Sequence, residues 1–152
     1  MNLQLRSLIK RSGELELSLV DTPLPAPGAD EVLISVEAAP LNPSDLGLLF
    51  GTADMRTAKA AKDSAGRPVV TAQVPEGAAM RAMAARLDQS MPVGNEGAGV
   101  VIEAGTSPAS QALLGKKVAA IGGAMYSQLR AVPGARRLVL PAGGGTTHGA
   151  SW

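Results

Sequence analysis

A chain of 152 residues with 14 basic and 13 acidic side chains is long enough for one compact domain and is almost neutral, so long-range attraction to nucleic acid or to an anionic membrane has little support. Cysteine is absent, which excludes disulfides, thiolate nucleophiles and cysteine-ligated zinc. Phe50, Tyr126 and Trp152 are the only aromatic residues, so Val, Ile, Leu, Ala and Met must fill the core.

The N-terminus alternates polar and apolar residues from Asn2 to Ile9 and does not read as a signal peptide. No stretch approaches the ~20 consecutive apolar residues of a membrane helix, and the expected location is cytoplasmic. Leu3, Leu5 and Leu8, then Leu15, Leu17 and Leu19 after the turn Arg11-Ser12-Gly13, predict a β-hairpin with one buried face. Pro23, Pro25 and Pro27 end its second strand, and Val32, Ile34 and Val36 alternate in a third strand over 31–38.

Pro40 and Pro43 stop that strand, and Ser44-Asp45 can open a short helix carrying Leu46, Leu48 and Leu49 that closes at Phe50-Gly51. From Thr52 to Pro75 the residues turn small and polar with little periodicity, as in a surface excursion with a short strand at Val69-Val70-Thr71. Met80, Met83, Ala84 and Leu87 fall at helical spacing and predict a helix over 76–89. Packing against the sheet is the expected role of its methionines, which commonly fill irregular gaps. The β pattern returns over 99–104, 117–121, 126–132 and 137–140, between turns rich in Gly and Pro. Many short strands favour an all-β barrel or sandwich.

Two motifs stand out in this order, Leu41-Asn42-Pro43-Ser44-Asp45 and Gly94-Asn95-Glu96-Gly97-Ala98-Gly99. The first resembles the Asn-Pro-x-Asp stretch, and the second the Gly-x-Glu-x-x-Gly turn, of zinc-independent medium-chain dehydrogenase/reductases, among them quinone oxidoreductases and enoyl thioester reductases. The resemblance implies a mainly β fold, a GroES-like partly open barrel with short helices and a helical insertion near 76–89. It implies a catalytic domain over 1–141, with an insertion at about 52–89, and a tail over 142–152 that leads toward an absent nucleotide-binding domain.

The resemblance gives Asn42 and Asp45 the positioning of reactants at a cleft, and Asn42 and Asn95 contacts to the cofactor. Pro43, Gly94, Glu96 and Gly97 would hold the local backbone. An amide offers both a donor and an acceptor; the residues alone fit equally a helix-entry turn capped by Asp45. No metal is expected: Asn95 stands where zinc relatives place a histidine, and a carboxamide is a poor substitute for imidazole. The sole histidine, His148, lies in the glycine-rich tail.

Gly94 to Gly99 leads into Val100-Val101-Ile102, which reads as strand, whereas a dinucleotide fingerprint needs a helix after its glycines. The resemblance implies NADP(H) in the full-length family, and without such a fingerprint no tight binding to this chain alone is expected. No tyrosine lies between Asp45 and Gly94, where similar enoyl reductases keep a proton donor, and Tyr126 reads as a core or cleft-wall residue. The resemblance implies reduction of a quinone or other conjugated carbonyl by the full enzyme, and little turnover is expected of this chain. An exposed barrel edge would permit self-association. The alternative is a non-enzymatic binding or assembly module on the same barrel, since fold does not fix function.

Overall fold

The computed structural model describes residues 1–140 and 145–146. Two antiparallel five-stranded sheets dominate it, and no closed barrel forms among the described residues. The mainly β architecture with short helices agrees with the expected class.

Strands β1 (Asn2–Ile9) and β2 (Glu14–Thr22) form the predicted hairpin; β4 (Asp54–Lys62), β5 (Pro68–Gln73) and β6 (Met91–Pro92) complete a sheet ordered β4-β5-β2-β1-β6. The second sheet runs β10-β8-β7-β3-β9, from β3 (Glu31–Ala38), β7 (Glu96–Ala104), β8 (Lys117–Ile121), β9 (Leu129–Pro133) and β10 (Arg137–Val139). Helices α1 (Pro43–Phe50), α2 (Ala78–Ala82) and α3 (Pro108–Gln111) are short.

The chain divides into two compact units. The first comprises Met1–Gln4, Asp21–Leu41 and the chain from Gly94 on; the second comprises Leu5–Val20 and Asn42–Val93.

In the first unit β3 is central, paired with β7 on one side and β9 on the other. Its Val32, Leu33 and Ile34 are all buried, so an apolar run replaces strict alternation where both faces are covered. Val32 and Ile34 join Val101, Leu113, Val118, Ala120, Met125 and Val132 in a core without an aromatic ring. Across the sheet, Ala98 lies opposite Ala119 and Ala38. Ala98 and Ala119 are fully buried, with Ala38 and Leu140 packed against them. Gly99 marks a close backbone approach: a Cβ there would overlap the Ser35 carbonyl.

In the second unit Ile9, Leu15, Ala72 and Val74 form the core. Met80, Met83 and Leu87 pack on it, which is the role expected of that apolar spacing. The continuous helix over 76–89 does not form. α2 ends at Ala82, and Ala84–Arg86 is a 3₁₀ turn that leaves Ala84 exposed. Gly77, with φ of 82°, starts the helix without a side-chain cap, and a segment this short depends on packing rather than on propensity.

The excursion over 52–75 is also more ordered than expected, because β4 and β5 pair as a hairpin from Lys62↔Pro68 to Lys59↔Thr71. Its second strand extends the predicted 69–71, while β4 was not anticipated. Lys59 to Lys62 are all exposed, and an edge strand solvated on both faces carries no apolar alternation. Lysines on such an edge oppose pairing with another chain. Two smaller differences concern the strand expected over 126–132, which starts only at Leu129, and β6, a two-residue strand too short for any periodic signal.

Candidate functional site

The Asn-Pro motif lies in the second unit, apart from Leu41. Asn42 precedes α1 in extended conformation, with Pro43 at the first helical position, where its missing N–H leaves no hydrogen bond unmade. Asp45 is 1% exposed. Its carboxylate Oδ2 accepts from the Asn42 backbone N–H at 2.8 Å, the arrangement of a capping box. Asp45 is therefore tied to the backbone that carries Asn42, while the Asn42 residue itself is half-buried.

The far end of α1 is held by a residue that sequence reasoning missed. The Arg86 guanidinium donates to the Leu48 carbonyl at 2.9 Å, the Gly47 carbonyl at 3.3 Å and Ser7 Oγ at 2.9 Å. Ser7 Oγ in turn donates to the Leu49 carbonyl at 2.7 Å, fully buried. A cation at a helix C-terminus satisfies carbonyls that the helix leaves open. Burial pushes the Arg86 guanidinium below its usual value. Gly51, at φ of 55°, closes α1 where a Cβ would lie 2.6 Å from Met83 Sδ and 2.7 Å from Ile9 Cδ1. No periodicity could have marked Arg86, because Arg81 on the same segment is equally basic and stays exposed.

The glycine motif lies in the first unit. Gly94 has φ of 96°, and a Cβ there would sit 2.6 Å from the Tyr126 ring. Gly94 O accepts from Met125 N at 3.1 Å, and Asn95 O accepts from Gly122 N at 2.8 Å, so the loop is fixed through its backbone. Asn95 and Glu96 are half-buried. Gly97 gives its Cβ space to Met125, whose Cε would be 2.9 Å away. Glu96 opens β7 directly, so the glycines lead into a strand and not into a phosphate-binding helix.

Tyr126 sits in the turn before β9, not in the strand anticipated for it. Its hydroxyl donates to the Pro40 carbonyl at 2.7 Å, which occupies the phenolic proton and anchors the chain just ahead of the Asn-Pro motif. Nothing in a sequence pairs residues so far apart. His148 lies outside the described residues. Among the described residues, no three His, Cys, Asp or Glu side chains gather as a metal-binding group, and no helix is long and apolar enough to cross a membrane.

No protein-family model matches the sequence, and no curated protein matches it. Solved structures do. The quinone oxidoreductase from Coxiella burnetii aligns with 100% of this chain at 20% identity and a TM-score of 0.63, over 41% of its own length. The Escherichia coli quinone oxidoreductase, crystallised with NADPH, aligns with 99% at 15% identity and a TM-score of 0.61, over 36% of its length. The CurK enoyl reductase aligns with 98% at 20% identity and a TM-score of 0.63, over 38% of its length. The chain thus spans about two fifths of these proteins. The likeness shows that this chain shares the fold of the corresponding part of these oxidoreductases.

Proposed function

We propose that the chain is the catalytic-domain portion of a zinc-independent, NADPH-dependent reductase acting on a quinone or other conjugated carbonyl. The observation that carries this reading is the alignment of essentially the whole chain with about two fifths of quinone oxidoreductases and an enoyl reductase. The Asn-Pro and glycine motifs support it from the sequence.

NADPH, when bound, would supply the hydride. The residues fit one part of that task. Asn42, with its N–H fixed by Asp45 and its φ set against Pro43, offers an amide that can orient a carbonyl oxygen or the nicotinamide carboxamide. In the first unit, Asn95 lies on a loop held by backbone bonds and by glycines at 94 and 97, and its amide would be a cofactor contact of that unit. Orientation of this kind lowers the barrier by fixing geometry before reaction. A glycine turn followed by a helix, which would take the pyrophosphate, is not formed by Gly94 to Gly99. Most cofactor contacts therefore fall to a nucleotide-binding domain outside this sequence, and this chain alone turns over slowly.

The test is NADPH oxidation with 1,4-benzoquinone by this chain alone and by a fusion to the nucleotide-binding domain of a solved quinone oxidoreductase. Activity in the fusion and almost none in the isolated chain is expected, with Asn42→Ala lowering kcat/KM of the fusion about 10-fold or more. A folded fusion that binds NADPH and reduces no quinone or enone would overturn the reading. A full enzymatic rate from the isolated chain would overturn its dependence on a second domain.

A further inference from the structure

Residues 122–128, which connect β8 to β9 in the first unit, belong to neither motif and are held from three sides. On the side of the glycine motif, Gly122 N–H donates to the Asn95 carbonyl at 2.8 Å and Met125 N–H to the Gly94 carbonyl at 3.1 Å. On the sides of β3 and β1, the Gln128 carbonyl accepts from Val36 N–H and Gln128 N–H donates to the Leu3 carbonyl, both at 2.9 Å. Between these ties, Ser127 Oγ donates to the Ala124 carbonyl at 2.6 Å and accepts from Gln4 Nε2 at 3.0 Å. Ala124 has φ of 63°, a left-handed conformation unfavourable for a residue with a Cβ. It persists because the surrounding bonds overdetermine it, and strain of this kind marks a segment whose shape matters.

Tyr126, the only tyrosine of the chain, stands in the middle of this connection. Its ring and its backbone nitrogen occupy the space that a Cβ at Gly94 would need, at 2.6 and 2.7 Å. Its hydroxyl donates to the Pro40 carbonyl at 2.7 Å, just beyond the end of β3. A phenol pinned at its tip resists tilting, so the ring is a fixed stop against the Gly94 backbone. Asn95 follows directly, with its own carbonyl tied to the same connection.

We infer that Tyr126 is a positioning residue for Asn95. Its hydroxyl, anchored on Pro40, locks the ring that seats the Gly94–Asn95 backbone, and this sets where the Asn95 amide is presented. A contacting side chain is only as precise as the shell that supports it. Glycine is required at 94 because the stop lies so close to the backbone. The use of the Asn95 amide toward a cofactor rests on the reductase reading; the seating of its loop by Tyr126 does not.

The test is Tyr126→Phe, which keeps the ring and removes only the hydroxyl. In ¹H–¹⁵N spectra of the full chain, the Asn95 side-chain amide and the Gly94 and Gly97 backbone amides should shift, and the backbone amides should exchange about 10-fold faster, while the amides of Val32 to Ile34 in β3 stay unchanged. In the fusion enzyme, Tyr126→Phe should raise KM for NADPH about 5-fold with little change in kcat. On an Asn95→Ala background the same substitution should add less than about 2-fold, because its effect passes through the missing amide. An unchanged KM, full additivity of the two substitutions, or unmoved Asn95 and Gly94 signals would overturn the positioning role. A wild-type fusion without NADPH-dependent activity defeats the reductase reading instead, and the spectra of the chain alone then decide the role of Tyr126.

Discussion

The first unit is held by apolar packing so close that backbone meets backbone, whereas the second leans on charged side chains reaching across to carbonyls. In the first, Val32, Ile34, Val118 and Met125 are fully buried, and Gly99 leaves no room for a methyl group. In the second, a smaller apolar cluster is joined by Arg86 on α1 and by Lys10 between Glu14 and Glu16. The two should therefore fail under different insults, volume in one and lost polarity in the other.

The largest effect is expected from Gly99→Ala. The added Cβ collides with the Ser35 carbonyl inside the β3–β7 ladder, where neither strand can yield. Thermal or urea unfolding should show a loss of about 3 kcal/mol or more. A loss below about 1 kcal/mol would mean that the first unit is packed no more tightly than the second.

Arg86→Met comes next, at about 2 kcal/mol, because it keeps much of the packing and strips the Leu48 carbonyl and Ser7 Oγ of a charged donor. Hydrogen exchange should quicken in α1 before the strands of the first unit respond. Uniform acceleration across both units would erase the contrast.

Asp45→Ala should cost about 1 kcal/mol through loss of the carboxylate that caps α1. In the fusion enzyme it should lower kcat/KM through Asn42, and a purely structural Asp45 would leave the rate per folded molecule unchanged.

Lys10 gives the smallest effect. Hydrogen bonds to Glu16 and then Glu14 raise its ammonium above the ordinary lysine range. A raised folded value means that its contribution is complete at neutral pH. That contribution declines only as alkaline pH, above about 10, removes the proton. The side chain is 36% exposed, so solvent screening limits Lys10→Met to under about 1 kcal/mol, reduced further by salt.

What could be read from the sequence follows the same division. Strand β3, the β1–β2 hairpin and α1 were legible because alternation, proline stops and a capping carboxylate are local signals. β4 was not, since an exposed lysine-bearing edge needs no buried face, and the 76–89 helix was over-read because its apolar spacing serves packing across a break. The site motifs were visible as residue types. Their supports, Arg86 on α1 and Tyr126 on the Pro40 carbonyl, are contacts between distant positions that no spacing encodes.

Gly97 and Met125 constrain how this chain can change over generations. The space that a side chain would need at 97 is filled by the Met125 terminal methyl. Alanine at 97 obliges the flexible Met125 end to turn aside, and a shortened 125 alone leaves a void. The two positions are therefore coupled, and a change at one alters the cost of a change at the other. A lineage that substitutes Gly97 should carry a smaller residue opposite it, and the effects of the two changes should fall well short of additive.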